Sequence, residues 1–182
     1  VDQGGSWTQL AEGWADGMTS SILIEGQHIF IGTWGSGIVR SLDGGLTWGW
    51  ANTGLPGSAG ISKIIRCGSY LFCNGWNGVF RSMDDGGTWT TVNTPTEQPD
   101  IEVIDSTIFI VDYYSTASRS VDFGVTWQSA STGLGPHVTS MKSNGTDLYA
   151  GTTTGGVYRT TNAGIQWSLL GSLSTEVENI SI

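Results

Sequence analysis

A six-residue phrase, Asp/Asn-x-Gly-x-(Ser/Thr/Gln)-Trp, recurs five times in this 182-residue chain at nearly even intervals. The copies run Asp2–Trp7, Asp43–Trp48, Asp84–Trp89, Asp122–Trp127 and Asn162–Trp167, and their tryptophans are spaced by 41, 41, 38 and 40 residues. A period near forty residues marks a repeat architecture, in which each unit buries its apolar surface against its neighbours. The phrase has a physical logic as a turn. A short carboxylate accepts hydrogen bonds from backbone N–H groups a few residues on, and glycine two positions later takes a positive φ freely. Thr re-enters an extended strand, and Trp buries a large ring whose indole N–H seeks a partner. An active site is needed once but a turn is needed in every unit, so these residues read as structural.

The periodicity extends beyond the turns. Arg40-Ser41, Arg81-Ser82, Arg119-Ser120 and Arg159-Thr160 each stand just before a copy. Before them come apolar runs at residues 28–31, 70–73, 107–111 and 147–150, and earlier still more alternating stretches at 21–24, 63–66, 101–104 and 138–141. A further strand follows each Trp and leads into a Gly/Pro/Asn loop. Each unit therefore holds four short strands, one of them apolar on both faces as in a strand sandwiched between sheets. No segment carries helical periodicity. The expected fold is all-β: a β-propeller of four-stranded antiparallel blades, with repeats at about 13–53, 54–94, 95–132 and 133–172 of a single domain spanning 1–182.

The longer phrase Ser-x-Asp-x-Gly-x-Thr-Trp, whole at 41–48, 82–89 and 120–127, resembles the Asp-box or BNR repeat of sialidases, sortilin-type receptors, some glucanases and bacterial secreted repeat proteins. The first copy departs from it at Ser6, and the last at Asn162 and Gln166. The resemblance implies that the turn joins the third and fourth strands of a blade, away from the usual ligand face. On that placement the chain opens with one outer strand (about 7–12) and closes at 176–182 with an innermost strand. Four complete blades plus a partial blade strand at each end are expected. Val1 starts mid-repeat, so the chain is expected to be a fragment of a longer propeller. Open edge strands would otherwise pair head to tail, the route to self-association.

Composition narrows the function classes. A net charge of −9 with only 7 Lys+Arg argues against nucleic acid and anionic membrane surfaces, both of which need basic patches. No apolar run approaches the roughly twenty residues of a membrane span. Low charge with abundant Ser, Thr, Gly and Trp points to an extracellular or cell-surface protein. Cys67 and Cys73 flank a tight turn, where Cys67 would face Tyr70 and Cys73 would face Ile64, so they are read as two free thiols. No metal-ligand spacing is present, and no cofactor is expected.

The candidate site is the face opposite the turns. Loops between the second and third strands carry Trp34, Trp76 and Tyr113-Tyr114, with Thr153 in the fourth unit, and the connections between units add Trp14 and His137. With Asp112, Asp16, Asn74 and Asn77 nearby, these rings suit a carbohydrate: the apolar face of a pyranose stacks on a ring while amides and carboxylates meet its hydroxyls. The expected function is a non-catalytic extracellular module binding carbohydrate or another surface ligand, the alternative a structural or protein-interaction repeat that self-assembles. A third reading is a fragment of a glycoside hydrolase, for which Asp16, Asp100 and Asp112 are the available acids. The sialidase resemblance itself implies three convergent arginines. Four of the arginines sit beside turns and only Arg66 is left, so no catalytic residue is assigned.

Overall fold

The computed structural model describes residues 5–6, 18–97, 99–177 and 180; Asp2, Trp7, Trp14 and Asp16 lie outside the described residues, as does the outer strand expected at 7–12. Among the described residues there are sixteen strands and no helix. They form four antiparallel sheets, each of four strands consecutive in the chain. The first sheet holds β1 (Thr19–Glu25), β2 (His28–Thr33), β3 (Gly37–Ser41) and β4 (Gly49–Trp50). The second holds β5 (Ile61–Cys67), β6 (Tyr70–Gly75), β7 (Gly78–Ser82) and β8 (Thr90–Val92). The third holds β9 (Asp100–Ile104), β10 (Thr107–Val111), β11 (Ala117–Ser120) and β12 (Gln128–Ser129). The fourth holds β13 (Val138–Ser143), β14 (Leu148–Thr152), β15 (Gly156–Thr160) and β16 (Ser168–Ser172). First strands lie side by side in chain order, β1 against β5, β5 against β9, and β9 against β13. Sheets stacked face to face with their first strands adjacent are the blades of a β-propeller.

The apolar runs become the second strands, which lie inside the blades; β6 and β10 are covered on both faces by neighbouring blades, and β2 and β14 on one face by a described blade. Phe30, Phe72, Phe109, Leu71, Ile108, Ile110 and Leu148 are fully buried there. Phe30, Ile38, Ile61, Ile64 and Phe80 fill the seam between the first two blades, and each such side chain contributes about 1.5–3 kcal/mol. Phe72, Val79, Ile101 and Ile110 fill the next seam, and Phe109, Val111, Met141 and Leu148 the third.

Each turn closes as its chemistry requires. Asp43 accepts hydrogen bonds from the Thr47 N–H (2.9 Å) and hydroxyl (2.6 Å), while the Ser41 hydroxyl donates to Asp43 (2.7 Å) and accepts from the Gly45 N–H (2.8 Å). Asp84 and Asp122 repeat this arrangement. Asn162, which departs from the phrase, still accepts from the Gln166 N–H at 3.0 Å and the Thr160 hydroxyl at 2.9 Å. The Thr47 and Thr126 hydroxyls, followed by the N–H groups of the same residues, hold the carboxyls of Asp43 and Asp122 down to about 2.

Two of the tryptophans that end these turns, Trp89 and Trp167, seal the seam with the preceding blade. Trp89 donates its indole N–H to the Ala51 carbonyl (2.8 Å), and Trp167 donates to that of Ala130 (2.7 Å). Trp48 donates instead to Gly45 of its own turn (3.0 Å). The arginines tie the same seams from the other side. Arg40 donates to the Asp85 carbonyl, Arg81 to that of Phe123 (2.8 Å) and Arg119 to that of Ala163 (2.7 Å), so each links a third strand to the next blade's turn. Arg159 holds Asp147 within its own blade (2.6 Å).

After β16 the chain returns to the inner seam. Buried Val177 there accepts from the Thr139 hydroxyl and donates to the Thr152 carbonyl (3.2 Å). Ile61, at the start of β5, accepts from Ser20 in the same way. Val177 thus lies where Ile61 opens a first strand, while residues 178–179 and 181–182 of the closing strand expected at 176–182 lie outside the described residues. Cys67 and Cys73 are free and buried, opposite Tyr70 and Ile64.

Candidate functional site

Antiparallel strands place the loops between second and third strands at the opposite end of each blade from the turns. Trp34 leaves β2 and is anchored by its N–H to the Met18 carbonyl (3.0 Å) and by a bridge to Gly60. Trp76 leaves β6, its N–H donating to the Gly60 carbonyl at 3.3 Å. The two indoles meet at 5.6 Å between centroids and 43° between planes. Gly60 makes room for this: a Cβ there would sit 3.2 Å from the Trp76 ring. The rings remain 40 % and 57 % exposed, whereas Trp89 and Trp167 in the seams are 3 % and 2 % exposed. Trp residues of one chain are thus split between burial and display.

A second aromatic group stands on the third blade. Tyr113 lies 5.7 Å from Tyr114 at 79° and 4.9 Å from the His137 ring, and both tyrosines are exposed. Asp112 supports this loop by accepting from the Thr116 N–H at 2.8 Å. Ser115 and His137 hold positive φ values of 66° and 56°, a conformation non-glycine residues rarely take. Thr153 of the fourth blade donates its N–H to the His137 carbonyl (3.0 Å). The structure therefore brings together Trp34 with Trp76, and Tyr113 with Tyr114 and His137.

Other polar residues read from the sequence serve the fold. Asn74 is buried, not at the surface, because β6 directs it into the seam, where its amide donates to the Pro99 carbonyl (2.6 Å). Asp100 accepts from the Met141 N–H (3.0 Å) and faces Lys63 (3.4 Å) between first strands. Arg66 is engaged by Glu25 and by Asp85 (2.8 Å). Asn77 is exposed beside Trp76.

One element escaped the sequence reading. A cleft of about 510 Å³ opens beside Trp76, lined by Asn77, Thr91, Asn93, Thr94, Thr96 and Glu97 among others. Its signal was a break in the repeat: the exit loops of the first and third blades read Asn52-Thr-Gly-Leu and Ser131-Thr-Gly-Leu, the second Asn93-Thr-Pro-Thr. Asn52 accepts from the Ile38 N–H (2.7 Å) and Ser131 from the Ala117 N–H (2.7 Å), tying those exits back to their blades. Asn93 makes no such bond among the described residues and is exposed.

The fold is that of solved β-propellers. Ycf48 from Cyanidioschyzon merolae superposes with a TM-score of 0.68 at 15 % identity over 88 % of this chain and 57 % of that one. A GH74 xyloglucanase from Xanthomonas campestris gives 0.65 at 14 % identity over 80 % of this chain and 28 % of the enzyme. The extracellular domain of a protein described as a one-component system from B. thetaiotaomicron gives 0.69 at 15 % identity over 88 % and 24 %. This chain spans between about a quarter and just over half of these proteins. No family model and no curated protein matches the sequence. At these identities the likeness defines the fold alone.

Proposed function

We propose that the chain is a propeller module of the Asp-box type that binds carbohydrate outside the cell, through the aromatic surface opposite its turns. The single observation that carries this reading is the Trp34–Trp76 pair: two large rings held in contact, seated on Gly60, yet exposed. Rings fixed by the backbone lose little conformational freedom on binding, and their faces match the C–H surface of a pyranose. Tyr113, Tyr114 and Asp112 extend the surface on the third blade. The turn chemistry around Asp43, Asp84 and Asp122 supports the Asp-box reading. The extracellular domain among the structural neighbours is compatible with a location outside the cell. Binding in a glycan array, confirmed by ligand-detected NMR and lost in Trp34→Ala plus Trp76→Ala, is the expected result; full binding by that variant sinks the proposal.

A second reading, self-association with another copy, has its own support. Ile22 and Ile24 of β1 are 59 % and 64 % exposed on the outer face of the first blade, and Leu169 and Leu170 of β16 are exposed on the fourth. Light scattering should then show a mass rising with concentration. A constant monomer mass excludes it.

A further inference from the structure

Building on the carbohydrate reading, we infer that the cleft beside Trp76 is a subsite for an uncharged sugar residue and discriminates against acidic glycans. The cleft falls in the 300–1,000 Å³ range of small-molecule sites. Its lining joins the exposed Trp76 and its neighbour Asn77 to the exit segment from Thr91 to Glu97. That segment is bent by the Thr94 hydroxyl, which donates to the Thr96 carbonyl at 2.8 Å. Its composition is that of a hydroxyl-recognising site: the amides of Asn77 and Asn93 donate and accept, Thr91 and Thr94 carry hydroxyls, and Glu97 accepts. Thr96 is 7 % exposed and its buried hydroxyl oxygen has no partner among the described residues, so it forms part of the wall behind the exposed amides and hydroxyls.

The charge of the lining sets the ligand class. None of the described lining residues is basic, and Glu97 is the one ionisable group among them. A uronate, sialate or phosphate would meet a carboxylate and no cation, so it is repelled. A neutral sugar meets a stacking face plus paired donors and acceptors. The second blade's exit segment lacks the tie that Asn52 makes in the first blade and Ser131 in the third, which leaves Asn93 exposed at the cleft.

The test uses the full chain and isothermal titration with neutral hexasaccharides of β-linked glucose, mannose and xylose, and with hexagalacturonate as the acidic probe. The expected result is binding of at least one neutral probe, at least tenfold weaker or absent binding of hexagalacturonate, and about a tenfold loss in Trp76→Ala, in line with an aromatic ring that the ligand covers. Asn93→Ala plus Glu97→Ala should weaken the neutral probe at least threefold; both residues are exposed, so an unchanged thermal melt will show that the fold persists. Neutral binding that falls in Trp34→Ala yet is unchanged in Asn93→Ala plus Glu97→Ala overturns the cleft and leaves the aromatic surface standing. Hexagalacturonate binding as tightly as the neutral probes overturns the ligand class. No binding of any probe overturns both this inference and the carbohydrate reading beneath it.

Discussion

Trp89 and Trp127 occupy one repeat position but meet different surroundings. Trp89 donates to the Ala51 carbonyl and its backbone N–H bonds Thr53, whereas the indole N–H of Trp127 is buried with no partner among the described residues. The cause lies in the exit segment of the second blade, which departs from the course that Thr53 and Thr132 follow to meet Trp89 and Trp167. Removing the indole N–H should therefore be unequal. Trp89→Phe leaves a carbonyl orphaned in the seam and should cost about 1–3 kcal/mol more than Trp127→Phe, measured by urea unfolding. Equal losses would mean that ring volume, not the hydrogen bond, is what these positions supply. The turn carboxylates make a second residue-scale prediction. Asp43 and Asp122 sit at about 2 when folded, below the ordinary carboxylate value, so protonation favours the unfolded chain. Their stabilisation is complete above about pH 4 and is lost as pH falls through the folded values near 2. Asp43→Asn plus Asp122→Asn should flatten this acid limb of the unfolding midpoint, since Asn162 closes the same turn without a titratable group. An acid limb as steep as that of the parent would place the sensitivity in other carboxylates.

Blades are joined by close backbone approach as much as by side chains. A Cβ at Gly75, where β6 ends, would stand 1.7 Å from the Gly60 carbonyl oxygen, a contact only backbone displacement relieves. Gly44 has a positive φ of 74° but open space around its Cβ position, and Ala163 holds the same repeat position at 54°. Gly75→Ala should thus lower stability by about 3 kcal/mol or more, and Gly44→Ala by about 1 kcal/mol. Similar thermal melts for the two variants would show that the seam has more slack than this geometry implies. The contrast also marks how far sequence reaches. The turns, the strand order and the Cys67–Tyr70 pairing were legible because they depend on neighbours within one hairpin. Asn74 was misjudged because its strand fixes a face, and the face it meets belongs to another blade. The bonds from Arg40 to Asp85 and from Arg81 to Phe123 span about a whole repeat; periodicity showed that these arginines were structural, but not what they held. Trp34 and Trp76 were found as loop aromatics; that they touch one another could be read only from packing. The cleft was marked by Asn93-Thr-Pro-Thr, where the exit loop loses the glycine of its counterparts.

Across the whole molecule, stability should follow position in the stack. In repeat proteins each unit draws its stability from its own strands and its contacts with immediate neighbours, so units covered on both sides open last. The second and third blades are flanked on both faces by described blades, and β6 and β10 are buried almost throughout. The first blade shows Ile22 and Ile24 on its outer face, and all five residues of β16 are exposed. Native-state hydrogen exchange should reflect that gradient. Amides of Leu71–Cys73 and Ile108–Val111 should exchange only through the largest opening, while those of β16 exchange through local fraying, at least a hundredfold faster, the equivalent of about 2.7 kcal/mol. Uniform protection across all four blades would mean that they unfold as one cooperative unit, and that the outer faces of the first and fourth blades are covered in solution. A second measurement separates those outcomes. If protection of β1 and β16 rises with protein concentration, the cover is another copy of the chain, and the exposed Ile22, Ile24, Leu169 and Leu170 are its contact surface. If protection is uniform at every dilution, cooperativity within the blades outweighs the asymmetry of their burial.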